Sequence, residues 1–372
     1  MLGHALLLAT ATYSVLALMT RRRWRHHAAM IPSPPPTAAV TVLKPLYGHE
    51  PRLYENLRSF CRQDHPQFQL LFGLHSADDA ARGVVERLQR EFPALDIGIV
   101  IDARSHGINL KVGNLINLLP QARHNWLLLA DSDIEAPPDL LRRATAPLAQ
   151  HDVGVVTCLY RGHAVGGVWP QLGSHFINDW FAPAVCLGRS FGASRHSFGA
   201  TMALRRDVLV ASGGFEALAD HVADDWWLGE LSRRAGFRTV LSECEVSTDV
   251  IETRPSDLVA RELRWLRSIR HIEPLGYAFL FIGFTTPVAT LGWLLSDGGP
   301  LALTLLLSAL AARLMLRFER CRTVMQSLRS TLLVPMRDSL SLLLWAIALA
   351  GNGVRWRGRP MKIAPTAPRF RS

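Results

Sequence analysis

The chain has 372 residues, 49% of them hydrophobic and 19% charged, with a formal net charge of +10. That length holds one large domain or two modest ones. The apolar residues gather at the two ends, which excludes a simple soluble globule. Five cysteines (61, 158, 186, 244 and 321) are odd in number and form no C-x-x-C pair. They argue against a disulfide framework or a zinc site and fit a reducing compartment.

The first element is the apolar run Leu2 to Thr20, uncharged apart from His4. About 19 residues suffice to span a bilayer's hydrocarbon core. The basic cluster Arg21, Arg22, Arg23 and Arg25 follows this run instead of preceding it. An uncleaved anchor over 1–20 is therefore expected, with the rest of the chain on the cytoplasmic side. A basic, proline-rich linker fills 21–37.

Over 38–272 the pattern alternates. Strand signals at Ala39 to Leu43, Phe68 to Leu74, Ile97 to Ile101, Trp126 to Ala130 and Val153 to Cys158 are separated by helical ones. The helices are expected at Arg52 to Cys61, Asp79 to Glu91, Leu110 to Leu119, and from Pro137-Pro138 to about Ala149. This predicts an α/β domain with a mostly parallel sheet covered on both faces. In such sheets ligands bind at the carboxyl ends of the strands.

The region 273–353 returns to membrane character. Gly276 to Leu295 and Leu301 to Leu316, joined by the turn 296–300, predict a transmembrane hairpin. Ser339 to Ala350 is about a dozen residues, short for a span. It follows Pro335-Met336-Arg337-Asp338 and is expected to be re-entrant or interfacial. The basic tail 354–372 (Arg355, Arg357, Arg359, Lys362) is expected in the cytosol. The basic excess lies beside apolar segments, where it suits anionic lipid headgroups better than nucleic acid. No nucleic-acid-binding motif accompanies it.

Candidate chemistry begins at Asp131-Ser132-Asp133, directly after the apolar strand Trp126 to Ala130. Alternate residues of a pleated strand share a direction, so both carboxylates can face one cation. A hard divalent ion, Mg²⁺ or Mn²⁺, takes such oxygens together with substrate phosphates; a solvated turn is the plainer reading. Asp224-Asp225 precedes Trp226-Trp227 at a helix start. Capping accounts for one acid, and an acid against aromatic walls suits a general base. Arg261 and Arg264 share a helix face ahead of Trp265, which suits a diphosphate, though a basic amphipathic helix on a bilayer surface is the plainer reading of this segment alone. Lys111, at the helix start 109–114, could meet phosphate. The glycine in Phe198-Gly199-Ala200-Thr201-Met202 allows close backbone approach or a bend. Redox, kinase, serine-hydrolase and zincin motifs are missing from the sequence.

In their order, these pieces resemble the inverting GT-A glycosyltransferases of the ceramide glucosyltransferase family, most closely its bacterial hopanoid-biosynthesis members, which tilts the expected acceptor toward a hopanoid. The resemblance covers nearly the whole chain: the anchor, Val42-Leu43-Lys44-Pro45-Leu46-Tyr47-Gly48, the D-x-D, the D-D-W-W, the R-x-x-R-W and the C-terminal hairpin. It implies a UDP-sugar-dependent hexosyltransferase of the bacterial inner membrane, its catalytic domain on the cytosolic face. Glucose or N-acetylglucosamine would pass to a hydroxyl of a ceramide or hopanoid. Carried over by position, Asp225 would be the general base, and Asp131 and Asp133 would hold the metal, Asp131 also meeting the donor. Lys44, Lys111, Arg264 and Trp265 would face the donor or its diphosphate, and Arg261 and Trp226 the acceptor or diphosphate. One departure stands out. Ser76 occupies the place of the family's first aspartate, with Asp78 and Asp79 as substitutes in nucleotide contact. A processive polysaccharide synthase is the alternative within the enzyme class, and a degenerate nucleotide-sugar-binding membrane protein the alternative outside it.

Overall fold

The computed structural model describes residues 1–35, 38–192, 195–318, 324–356 and 359–362. The basic tail beyond 362, Arg357 and Cys321 lie outside the described residues. In chain order the elements begin with α1 (Leu2–Met30), β1 (Val40–Pro45), α2 (Leu53–Cys61), β2 (Phe68–Leu74), α3 (Ala81–Glu91), β3 (Asp96–Ile101), α4 (Leu110–Leu118), β4 (Trp126–Ala130) and β5 (Ile134–Glu135). They continue with α5 (Leu140–Thr145), β6 (Val153–Ala164), α6 (Val168–Phe176), α7 (Ala182–Ser190), β7 (Thr201–Arg205), α8 (Arg206–Ala211), α9 (Asp224–Arg234) and β8 (Arg238–Val250). The last are α10 (Pro255–Ile272), α11 (Pro274–Phe279), α12 (Thr285–Leu294), α13 (Pro300–Phe318), α14 (Val324–Ala348), β9 (Gly353–Trp356) and β10 (Arg359–Lys362). The described residues fall into two compact units, one of 27–161 and 195–249, the other of 1–26, 162–192 and 250–362.

The first unit carries an eight-stranded sheet in the order β3-β2-β1-β4-β7-β6-β8-β5. The strands that alternate with helices, β1 to β4, pair in parallel. The expectation of a mostly parallel sheet holds for that half. β7 pairs antiparallel with both β4 and β6, and β5 with β8, so the whole sheet is mixed. The reason is connectivity: helical crossovers impose parallel pairing only where they link consecutive strands. β4 shows why the central strands are uninterruptedly apolar. Leu128 and Ala130 enter a core with Val42, Leu70 and Phe72. Leu127 and Leu129 enter the opposite one with Leu115, Leu118 and Leu231. Each such leucine contributes roughly 1.5–3 kcal/mol when fully buried.

The second unit is helical. α1, α13 and residues Thr331–Ala348 of α14 are each long and apolar enough to cross a membrane. Large exposed side chains such as Leu8, Met19, Leu301, Leu307, Leu332 and Leu343 decorate them, as a lipid-facing surface requires. Small residues let the helices approach: a Cβ on Gly3 would lie 2.5 Å from Gly292 O, the spacing that membrane helix contacts favour.

Two sequence expectations change here. The stretch Gly276 to Leu295 is a broken pair, Pro274–Gly283 and Thr285–Leu294, bent by 74°. Asp338 Oδ2 accepts from Thr286 N at 3.1 Å and Thr286 Oγ1 at 2.9 Å, satisfying the helix start exposed by the break. The short segment 339–350, in turn, is the end of the 25-residue α14, which runs through Pro335. Its charges do not end the helix because they are paired: Asp338 with Arg313 at 2.8 Å, Arg337 with Glu262 at 2.7 Å.

Candidate active site

The sheet unit gathers Lys44, Lys111, Asp131, Asp133, Asp224 and Asp225 around the end of β4. Asp131-Ser132-Asp133 forms a turn between β4 and β5, so the two carboxylates owe their directions to a turn and not to a strand's pleat. The Asp131 backbone is gripped from two sides: its N–H donates to Ala200 O at 3.2 Å, and its carbonyl accepts from Lys44 Nζ at 2.7 Å. Lys44 is fully buried, its ammonium 3.7 Å from the Phe60 ring centroid. Burial depresses it to about 7 against the charges of Asp133 and Asp131. With no exposed surface, it supports the turn through the Asp131 carbonyl.

Asp131 Oδ1 pairs with Lys111 Nζ at 2.6 Å. Asp133 Oδ2 accepts from Thr248 Oγ1 at 2.9 Å, and its Oδ1 is buried without a hydrogen-bond partner. Burial, then the charges of Asp131 and Glu50, push the Asp133 carboxyl up to about 7. Glu50 itself accepts from Ser132 Oγ at 2.9 Å. Crowded carboxylates with an orphaned oxygen fit a hard divalent cation. Among the described residues no group of three or more His, Cys, Asp or Glu could hold a metal alone. A cation held by Asp131 and Asp133 would need substrate oxygens to complete its shell.

The second acidic pair opens α9. Asp224 is tied into the frame: Asn109, fully buried, caps α4 through Val112 N and donates from Nδ2 to Asp224 Oδ1 at 3.2 Å. Lys111 Nζ lies 3.8 Å from Asp224 Oδ2. Burial lowers the Lys111 pKa, but Asp131 and Asp224 outweigh it and hold the ammonium charged. Asp225, partly exposed, accepts from Gly199 N at 2.7 Å and Trp226 N at 2.8 Å, one through each oxygen. Burial first, and the Asp224 charge second, push its carboxyl up to about 6, against Lys111 and the two N–H donors. A carboxylate fixed at one helix start, and titrating near neutrality, can accept a proton from a hydroxyl.

The other candidates lie on other elements. Asp79 Oδ1 accepts from Gly48 N at 3.0 Å and from Ala81 N at 2.9 Å, pinning the loop after β1 at a positive-φ glycine. Asp78 is exposed beside it, its N–H donating to Ser76 Oγ at 3.2 Å. Trp226 is half-buried and packs edge-on to Trp227 at 4.7 Å. Arg261, Arg264 and Trp265 belong to α10 in the helical unit. There Arg261 pairs with Glu252 at 2.5 Å and lies 5.0 Å from the Trp265 ring, which stacks on Phe176 at 6.0 Å. Arg264 is half-buried on the same helix. Sequence reasoning missed Asn109, Thr248 and Glu50 as partners of the acids. Gly199 carried a signal, a glycine at a strand entry, but not its partner.

The profile of glycosyl transferase family 21 matches residues 2–367. Ceramide glucosyltransferase 1 of Caenorhabditis elegans is 28% identical over 219 residues, 58% of this chain and 46% of that protein. Ceramide glucosyltransferase 3 of the same organism is 24% identical over 71% of this chain and 59% of that protein. The chain thus spans about half the length of the curated relatives it matches. Among solved structures, the mannosyltransferase PcManGT from Pyrobaculum calidifontis in complex with GDP-Man and Mn²⁺ superposes with a TM-score of 0.52 at 19% identity. That likeness covers 94% of this chain and 97% of the other, and it places the fold among GT-A glycosyltransferases.

Proposed function

The chain belongs to glycosyl transferase family 21, and from that premise we propose that it is an inverting, UDP-sugar-dependent hexosyltransferase acting on a membrane lipid. The observation that carries the reading is Asp225, a carboxylate raised to about 6 and held by Gly199 N and Trp226 N. Three membrane-length helices in the same chain supply the lipid surroundings. The relatives named ceramide glucosyltransferases favour ceramide as acceptor and glucose as the sugar. A hopanoid acceptor and N-acetylglucosamine are the competing choices. By the positive-inside tendency the sheet unit faces the cytosol, here the inner membrane's cytosolic side.

Asp225 takes the proton of the acceptor hydroxyl as that oxygen attacks the anomeric carbon. UDP departs from the opposite face, so the configuration inverts. Lys111 stands between Asp131 and Asp224 to offset diphosphate charge; for Arg264 and Trp265 a diphosphate role rests on their place in the R-x-x-R-W sequence. A divalent cation held by Asp131 and Asp133 would supply Lewis-acid stabilisation of the leaving diphosphate. Lys44 and Asn109 hold the acids in place. Asp79 braces the loop after β1, and Asp78 remains available to the nucleotide.

Two expectations follow from the base. Its active form is the carboxylate, which is lost as pH falls through the folded pKa. The rate should therefore rise with pH to a plateau above about 6 and fall about tenfold per unit below it. In Asp224→Asn this acidic limb should move to lower pH, because a negative neighbour that raises Asp225 is gone. A pH–rate profile checks both; a limb near 4 in the unaltered protein would assign the proton transfer elsewhere. The second concerns Gly199, where a Cβ would lie 3.1 Å from Asp225 Oδ2 and 3.3 Å from its Cγ. Gly199→Ala should shift the carboxylate by tenths of an ångström and lower kcat about tenfold. Donor KM should hold. An unchanged kcat would show that Asp225 is not positioned through this contact.

A further inference from the structure

Along α10 the inward stripe reads Leu258, Glu262, Leu266, all of them fully buried. The periodicity calls for an apolar residue at the middle place, and a carboxylate sits there instead. Its partner, Arg337, is 1% exposed in α14, within the stretch apolar enough to cross a membrane. Arg337 Nη1 and Nη2 donate to Glu262 Oε1 and Oε2 at 2.8 and 2.7 Å. The guanidinium is also fixed by Ser341 Oγ at 2.9 Å and Leu172 O at 3.4 Å. It lies 5.4 Å from the ring centroid of Phe176, the ring that stacks on Trp265.

Glu262 stands inside the R-x-x-R-W sequence, between Arg261 and Arg264. Arg337 therefore holds that motif twice, through Glu262 on its inward face and through Phe176 behind the Trp265 ring. A buried ion pair is a poor source of stability, since well-packed apolar residues of similar volume commonly do as well or better. An arginine in a membrane helix costs more again and marks function. We propose that Glu262 and Arg337 form a positioning pair that sets the rotation of α10, so that Arg264 and Trp265 meet the departing diphosphate. This rests on the transferase reading given above.

The test uses the full chain in lipid nanodiscs, comparing the unaltered protein with E262M/R337M and with Glu262→Asp. Melting temperature, UDP affinity by calorimetry and kcat of lipid-dependent UDP release are measured on each. E262M/R337M should melt within a few degrees of the unaltered protein, while UDP affinity and kcat each fall about tenfold or more, as misplaced bidentate contacts would cause. Glu262→Asp keeps the charge and shortens the reach by one methylene. It should show the same pattern more weakly, and it decides the matter if the double variant does not fold. Variants with unaltered UDP affinity and kcat would overturn the proposal. A variant that loses UDP affinity, beside an unaltered protein that releases no UDP with any lipid, would keep the pair and reject the reaction.

Discussion

Asp225→Asn is expected to lower kcat by about 10³-fold while leaving UDP affinity intact, within the range that general-base removal costs. The amide keeps the shape, but with a single oxygen it accepts from only one of Gly199 N and Trp226 N, the two contacts that fix the carboxylate. What it loses is proton affinity. Asp224 does not substitute, because Asn109 and Lys111 already engage it. The variant should melt within a few degrees of the unaltered protein. A partly desolvated carboxyl raised to about 6 is ionised at neutral pH at a cost to the folded state, which offsets the lost N–H contact. Loss of UDP affinity together with rate would instead mark Asp225 as a donor contact.

Asp133→Asn is expected to abolish cation binding in the presence of UDP and to lower kcat about 10²- to 10³-fold, through loss of charge stabilisation at the diphosphate. Its Oδ1 has no partner, and burial with Asp131 and Glu50 pushes the carboxyl up to about 7. The raised value means the folded state pays for ionising this group. Stability is lost as pH rises through the folded pKa, and the neutral amide should melt higher at pH 8. Manganese binding followed by electron paramagnetic resonance reads the site without turnover. Without UDP, binding should be weak even in the unaltered protein, since the two carboxylates need substrate oxygens and Lys111 sits on Asp131. Unchanged Mn²⁺ affinity in Asp133→Asn would place the cation elsewhere.

Much of this site was legible before any coordinates. β2 and β4 fall on the residues expected, Phe68–Leu74 and Trp126–Ala130, because both are apolar runs cut short by turn-forming or charged residues. The acids after β4 and at the start of α9 were legible for the same reason: chemistry sits where a regular element stops. What escaped depends on partners distant in sequence. Arg337 and Asp338 made the apolar segment after them read as short, and only Glu262 and Arg313 explain how one helix carries both charges. The break at Phe284 had local signals, Gly283 before it and Pro287, which cannot donate to the Gly283 carbonyl four residues back; what could not be read locally is the support from Asp338, 52 residues later than Thr286. Lys44 reads in sequence as a ligand contact, and its burial and its bond to the Asp131 carbonyl could not be read there. The antiparallel half of the sheet escaped too, since pairing across β7 is set by long connections and not by local pattern.

The central claim is tested most directly by UDP release from the purified protein in lipid nanodiscs. UDP-glucose and UDP-N-acetylglucosamine would each be paired with ceramide and with a polyhydroxylated hopanoid, with Mg²⁺ or Mn²⁺ present and Asp225→Asn as the control. The account predicts release that requires a lipid, is fastest with UDP-glucose and ceramide, and is lost in the control. A folded protein that binds UDP but releases none with any pairing would contradict it and leave a nucleotide-sugar-binding membrane protein, with Ser76 the first residue to examine.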